Sequence, residues 1–311
     1  MSKLFISGSI AYDHLMNFDG ELKNSFLAGG LDNLSVSFLG QDRKVEFGGC
    51  GPNIAYSFKK LGGEPCIFGF AGNDFDKYDK WLKKNGIDCT LISVNETLPT
   101  AACFFLTDKQ ENQFAIFSPG AMSGEGVNLE DDYMVDLKNV DMAILSAGSG
   151  EYFAFLAEFF LGMGIPYVLD PGQEVLAMGK EHFLQLLNGA KGLFLNEYEV
   201  GLVEEKYQIK LADLCEKVDF VVVTLGDKGC ELHTNGKTIL VPAISGLNVK
   251  DPTGSGDSFR AGFLHALMAG KELVDCCRLG NVVASFSVES FGTQRHGIDS
   301  QILNERLKKI S

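Results

Sequence analysis

The sequence predicts an α/β fold, a mostly parallel central sheet with helices on both faces and a small β-sheet lid. Three observations predict it. Short apolar runs such as Phe220 to Leu225 recur with helical segments between them, the pattern of strands buried on both faces. Two glycine loops, Gly48-Gly49 to Asn53 and Gly254 to Gly256, each open an apolar helix face. Two stretches, Tyr12 to Phe47 and Thr100 to Phe117, interrupt that rhythm with partly alternating residues and no helical period.

In chain order, Lys3 to Gly8 reads as a buried strand closing on glycine, with Asp13 just past its end, where ligands gather in open α/β sheets. Segments such as Leu34 to Leu39 then suggest an antiparallel excursion from the main sheet. In the loop that follows, Pro52 suits the first helical position, and Ile54, Ala55, Phe58 and Leu61 share a face that Gly62-Gly63 ends. Cys66 to Phe70 is a strand and Phe75 to Lys84 a helix. Ala102 to Thr107 and Gln113 to Phe117 flank a polar stretch with hairpin composition. After Pro119-Gly120, strands are expected at Val140 to Ser146, Ile165 to Asp170, Gly192 to Leu195 and Phe220 to Leu225, then a hairpin turning at Asn235-Gly236. The expected division is a core of residues 1–11, 46–98 and 119–311, and a lid of residues 12–45 and 99–118.

The chain has 311 residues, 45% hydrophobic, enough for a sizeable core. Its formal net charge of −14 argues against a nucleic-acid or anionic-membrane surface. A small anionic ligand would need backbone amides, a helix terminus or a divalent cation. Eight scattered cysteines without a C-x-x-C pair, no signal-peptide run and no membrane-length apolar stretch give the expectation of a cytoplasmic protein.

The chemistry centres on Asp251-Pro252-Thr253-Gly254-Ser255-Gly256-Asp257-Ser258-Phe259. Two glycines one residue apart expose consecutive N–H groups, and Phe259, Phe263, Ala266 and Leu267 have the spacing of a buried helix face. Amides at a helix start hold phosphate, with Asp257 available as a base beside them. The same residues also suit an ordinary helix cap. Gly48-Gly49 with Asn53 permits close approach of a hydroxyl ligand, or simple helix initiation. Asn196 and Glu199 are candidates for magnesium, or a solvated acidic first turn. Thr224-x-Gly226-x-x-Gly229 could lie against a nucleotide, or form a turn. Gly236-Lys237-Thr238 lacks the first glycine of a P-loop, G-x-G-x-x-G is absent, and no H-E-x-x-H occurs, so a dedicated transition-metal site is not expected.

Taken in order, the Gly48 to Asn53 loop, Asn196-x-x-Glu199, Thr224-x-Gly226-x-x-Gly229 and Asp251-x-Thr253-Gly254-x-Gly256-Asp257 resemble the motifs of the ribokinase-like (PfkB) sugar and nucleoside kinases, from about Leu4 to about Thr293. That resemblance implies a three-layer α/β/α sandwich with a β-lid. It implies Asp257 as catalytic base and Gly254, Ser255 and Gly256 as an anion hole. Asp13, Gly48, Gly49 and Asn53 would contact ribose or sugar, and Thr224, Gly226, Gly229 and Asn281 would line an ATP site with Asn196. Glu199 would organise Mg²⁺ through water, and Asp251 and Thr253 would serve a monovalent cation such as K⁺. Pairing of two copies through the lid also belongs to what it implies.

Within the family, Gly8 to Asp13, Phe117 to Met122 and Asp170-Pro171-Gly172-Gln173 look most like bacterial adenosine kinases. Phe117 would stack on a purine and the Gln173 amide would reach its edge. The resulting expectation is direct transfer of the ATP γ-phosphoryl group to the primary hydroxyl of a nucleoside, adenosine to AMP. Two alternatives stand beside it. One is a sugar or sugar-phosphate kinase, with Arg43 and Lys44 as candidate phosphate contacts; Gly172 and Glu174 replace the Asn and Arg of the D-x-N-x-R often seen in sugar kinases. The other is a binding protein that kept the fold without the chemistry.

Overall fold

The structure, a computed structural model, describes residues 2–25, 37–110, 112–124, 136–148 and 150–310. Its strands are β1 (Lys3–Ser7), β2 (Ala11–Phe18), β3 (Gly40–Gly48), β4 (Glu64–Gly72), β5 (Asp88–Asn95), β6 (Ala101–Thr107), β7 (Gln113–Ser118), β8 (Met142–Ser146), β9 (Tyr167–Asp170), β10 (Gly192–Asn196), β11 (Phe220–Thr224), β12 (Cys230–Thr234) and β13 (Lys237–Val241). The helices are α1 (Cys50–Lys60), α2 (Asp76–Lys84), α3 (Gly150–Met163), α4 (Lys180–Leu187), α5 (Glu197–Tyr207), α6 (Leu211–Cys215), α7 (Ser255–Met268), α8 (Leu273–Val288) and α9 (Ser300–Lys309).

The main sheet runs β13-β12-β11-β10-β9-β8-β1-β4-β5 and is parallel except at the β11–β12 and β12–β13 pairs. Alternation along each strand builds two cores. Leu4, Ile6, Phe194 and Val222 pack with Ile54, Phe58, Phe259 and Phe263 on one face. Phe5, Leu193, Leu195 and Val223 pack with Phe153, Phe160, Phe183 and Val203 on the other. The result is the three-layer α/β/α sandwich that the sequence predicts. Phe263 shows how tightly α7 is seated, with its ring centroid 5.1 Å from Phe194 and 5.2 Å from Phe220. Deleting such a ring costs about 3–5 kcal/mol. The β12–β13 hairpin turns at Asn235 and Gly236, both with positive φ, 51° and 68°, as an Asn-Gly turn requires.

The strand order reverses between β1 and β8: the chain proceeds from β1 to β4 and β5 on one side, and from β8 to β9, β10 and β11 on the other. The carboxyl ends of β1, β8, β9 and β10 therefore open on one crevice, the usual place for a ligand in such sheets.

The second sheet is ordered β3-β2-β6-β7. It departs from the antiparallel expectation, because β2 pairs parallel with β6 while β2–β3 and β6–β7 are antiparallel. Two hairpins lie side by side, and sequence alternation carries no information about which strands of two hairpins meet. Of the expected segment Leu34 to Leu39, residues 34–36 lie outside the described residues, and 37–39 precede β3 without regular structure. Edge strand β5 has no counterpart in the sequence reading; its half-exposed pattern and flanking Asp88 and Asn95 hide it. Among the described residues, no helix is long and apolar enough to cross a membrane.

Candidate active site

Two helix N-termini converge at the crevice. Gly254 precedes α7 in the left-handed region, φ 72°, where a Cβ would also press on Thr293 Cγ2 at 2.8 Å. The first N–H groups of α7, at Ser255, Gly256 and Asp257, have no partner within the helix by geometry. Ser255 N–H turns back to the Pro252 carbonyl at 3.2 Å, which leaves those of Gly256 and Asp257 at the dipole's positive end. Gly49, φ 87°, plays the equivalent part before α1. Asn53, in the first turn of α1, donates through Nδ2 to Asp257 Oδ2 at 2.8 Å.

Asp257 is pushed up to about 7, chiefly by burial; the Asn53 hydrogen bond and the Arg260 charge pull it back and Asp170 adds to the rise. Across the crevice, Asp13 on β2 is buried and likewise pushed up to about 7, by burial first and then by Asp257, Asp251 and Glu46. The Asp13 carboxyl packs on Gly48, where a Cβ would sit 2.3 Å from Oδ2, so only glycine leaves room for it. Behind Asp257, Arg260 forms a buried ion pair with Asp170, Nε donating to Oδ2 at 2.8 Å and Nη2 lying 2.7 Å from Oδ1. Ser146 donates to the same Asp170 Oδ2 at 2.7 Å. Cys50 donates its thiol to the Ala147 carbonyl at 2.8 Å and is pushed up to about 12 by burial and by Asp257, so it stays neutral.

Strand register sorts the lid residues. Cys103 pairs with Asp13 and Phe117 with Cys103, which puts Phe117 on the same lid face as Asp13. Glu46 pairs with Asp13, so Lys44 shares that face and Arg43, opposite Met16, lies on the other. Gln173 follows Asp170 in a 3-10 turn, Gly172–Leu176, at the carboxyl end of β9 and is exposed.

The nucleotide-side candidates are dispersed over three turns. Asn196 and Glu199 form a capping box on α5: Asn196 Oδ1 accepts from Glu199 N–H at 2.8 Å and Glu199 Oε2 accepts from Asn196 N–H at 2.9 Å. Glu199 is buried, so the solvated-turn alternative fails for it; burial raises its pKa, and Arg260 offsets part of that rise. Thr224 ends β11 beside Asn196, and Gly226, φ 60°, faces open space. Gly229 packs instead against the Val241 carbonyl. Asn281 spends Nδ2 on the carbonyls of Val241 and Pro242, at 3.1 and 3.0 Å, tying α8 to the end of β13. Asp251 accepts from Thr253 N–H at 2.9 Å and Gly292 N–H at 3.0 Å, while Thr253 itself is exposed.

The model of the pfkB family of carbohydrate kinases matches residues 11–300. The chain belongs to this family. It is 32% identical over 311 residues to a nucleoside kinase of Methanocaldococcus jannaschii, covering 99% of this chain and 98% of that one. A Burkholderia thailandensis nucleoside kinase solved in complex with inosine superposes with a TM-score of 0.87 at 28% identity, covering 99% of this chain and 97% of that one. An Arabidopsis thaliana ribokinase solved with ribose and ATP shares the fold, at TM-score 0.82 and 22% identity over 99% of each chain. The protein is thus a phosphotransferase with an alcohol acceptor, a nucleoside or sugar kinase.

Several residues of this kinase's crevice escaped the sequence reading. Arg260 and Ser146 form the polar floor under Asp257 together with Asp170, which the sequence places in a family stretch but without this role, and Gln294 lies buried beside Asn53. One signal was available: Arg260 stands three residues after Asp257, one helical turn along an otherwise apolar face, where a charge demands a buried partner.

Proposed function

We propose that this kinase transfers the γ-phosphoryl group of ATP to the 5′-hydroxyl of a purine nucleoside, adenosine foremost. The observation that carries the reading is the Asn53–Asp257 hydrogen bond at the meeting point of two helix N-termini, with Asp13 facing it from the lid sheet. An ionised Asp257 is placed to take the hydroxyl proton as the phosphoryl group passes in line to the oxygen, with no covalent enzyme intermediate. The Gly254 to Gly256 loop offers its N–H groups to the transferring phosphate, and Asp13, Asn53 and the Gly48-Gly49 backbone hold the ribose.

The purine preference rests on Phe117, which shares the Asp13 face of the lid, and on Gln173 at the end of β9. The Burkholderia relative bound to inosine supports the nucleoside class. Against a sugar-phosphate acceptor stands the lid register: Arg43 turns away from the Asp13 face, leaving Lys44 as the basic side chain of that pair on it. Thr224, Gly226 and Asn196 are assigned to the nucleotide, with Gly229 and Asn281 holding the hairpin that borders it.

Among the described residues, no group of three or more His, Cys, Asp or Glu could hold a metal ion. That donor set fits Mg²⁺ only as an ion carried by the nucleotide phosphates and held by Glu199 through water. Bound there, Mg²⁺ would neutralise phosphate charge that the acidic protein does not. Asp251 and Thr253 are assigned to a monovalent cation, K⁺, checked by comparing rates in K⁺ and Na⁺. The outer lid face, with Phe104, Phe114 and Ile116 exposed, is assigned to pairing of two copies. An ATP-coupled screen of nucleosides, sugars and sugar phosphates tests the whole reading: adenosine should head it, while an inert nucleoside set with an active phosphosugar would overturn it.

A further inference from the structure

Asn53 has an amide whose two ends are chemically opposite, yet the end that faces Asp257 decides whether the carboxylate meets a donor or a lone pair. What selects the end is a chain of hydrogen bonds running away from the crevice. Gln294 is 2% exposed and donates through Nε2 to Asn53 Oδ1 at 3.0 Å and to the Tyr78 hydroxyl at 2.5 Å. Trp81 Nε1–H donates to Gln294 Oε1 at 3.1 Å. The Tyr78 hydroxyl donates to the Gly48 carbonyl at 2.7 Å.

The polarity of the chain is forced from its far end. An indole N–H only donates, so the Gln294 atom that meets Trp81 is its oxygen. Gln294 therefore presents its NH₂ to Asn53, whose facing atom is then Oδ1, and the Asn53 NH₂ is left for Asp257. The Tyr78 hydroxyl, committed as a donor to Gly48, accepts from Gln294 and agrees with the same assignment. The segment carrying Gln294 is itself anchored on the lid strand, Thr293 Oγ1 donating to the Phe47 carbonyl at 2.9 Å and Arg295 pairing with Glu46 at 2.6 Å.

We infer that Gln294, held by Trp81, is a positioning residue that fixes the Asn53 amide so that its NH₂ faces the base Asp257. The inference rests on the proposed role of Asp257. Removing the relay lets Asn53 turn its oxygen toward the carboxylate, replacing a donor with a repulsive lone pair. The groups facing Asp257 from every packed element, Asp13 on β2, Cys50 and Asn53 on α1, Asp170 on β9 and Arg260 on α7, are unchanged in the variants; Gln294→Glu alone adds a charge, so the uncharged Gln294→Met and Trp81→Phe decide between amide orientation and added charge.

The test is the pH profile of kcat/KM for the best acceptor in wild type, Gln294→Glu, Gln294→Met and Trp81→Phe. Gln294→Glu reverses the relay because an ionised carboxylate only accepts. Its acidic limb should move up by about one pH unit, an about tenfold loss at pH 6 that recovers by pH 9, with KM for ATP unchanged. Gln294→Met and Trp81→Phe should move it the same way by less; Trp81→Phe keeps the ring and guards against a Gln294 variant that fails to fold. A pH-independent loss in all three, or an unmoved limb, overturns the inference and leaves the base assignment standing. A wild-type profile with no acidic limb, together with near-wild-type turnover of Asp257→Asn, overturns the base assignment and this inference with it.

Discussion

Arg260 reaches across the fold to hold both oxygens of Asp170, from α7 to the end of β9, with neither side chain more than 8% exposed. The same guanidinium donates through Nη1 to the Gly256 carbonyl at 3.1 Å, within the loop that starts α7. One cation therefore serves three buried or half-buried carboxylates, Asp170, Glu199 and Asp257, and it belongs to the helix that carries the proposed base. In a chain of net charge −14, this cation lets several carboxylates gather in one crevice.

Asp170→Asn should lower stability by about 3–5 kcal/mol in urea unfolding, because it strands a buried guanidinium. The ion pair has Ser146 as a third member, so a Ser146→Ala and Asp170→Asn double-mutant cycle should be non-additive. Additive losses would show that the three do not act as one network.

Asp257→Asn should reduce turnover by on the order of a hundredfold or more, the scale of a general base, while ATP binding measured by calorimetry stays near wild type. Near-wild-type turnover would remove Asp257 from that role.

Because the base works ionised and Asp257 is pushed up to about 7, kcat/KM should rise through neutral pH and level above it. Stability runs the opposite way. Asp257 and Asp13 both have folded pKa values above the ordinary carboxylate, so their contribution is complete below about pH 4 and is lost as pH rises through about 7. The Tm advantage of Asp257→Asn over wild type should thus be larger at pH 8 than at pH 5, at about 1.5 °C per kcal/mol for a chain of 311 residues. An equal difference at both pH values would refute the coupling.

Phe117→Ala should raise KM for the nucleoside about tenfold with a smaller change in kcat, the scale of a lost base-stacking contact. Unchanged KM for adenosine and inosine alike would place the base elsewhere on the lid.

Ile116→Lys, on the lid face opposite Asp13, should convert a dimer to a monomer in sedimentation velocity at micromolar protein. A wild-type protein that sediments as a monomer would discard lid pairing.

What the sequence by itself determined is local. The buried strands read from Lys3 to Leu225, the Asn235-Gly236 turn, the glycine loops before α1 and α7, and the motif that singles out Asp257 all follow from periodicity and residue chemistry over a few positions. Tertiary structure decided what those elements do to one another. Asn53 meets Asp257 across 204 positions, Gln294 meets Asn53 across 241, and Arg260 meets Asp170 across 90. No local pattern encodes such pairs, because a polar side chain on a helix face shows its partner only when the sheet has brought two distant strand ends into one crevice. The parallel β2–β6 pairing is of the same kind, and so is the face on which Phe117 lies: a period of two fixes alternate sides, while strand register alone says which side looks at Asp13.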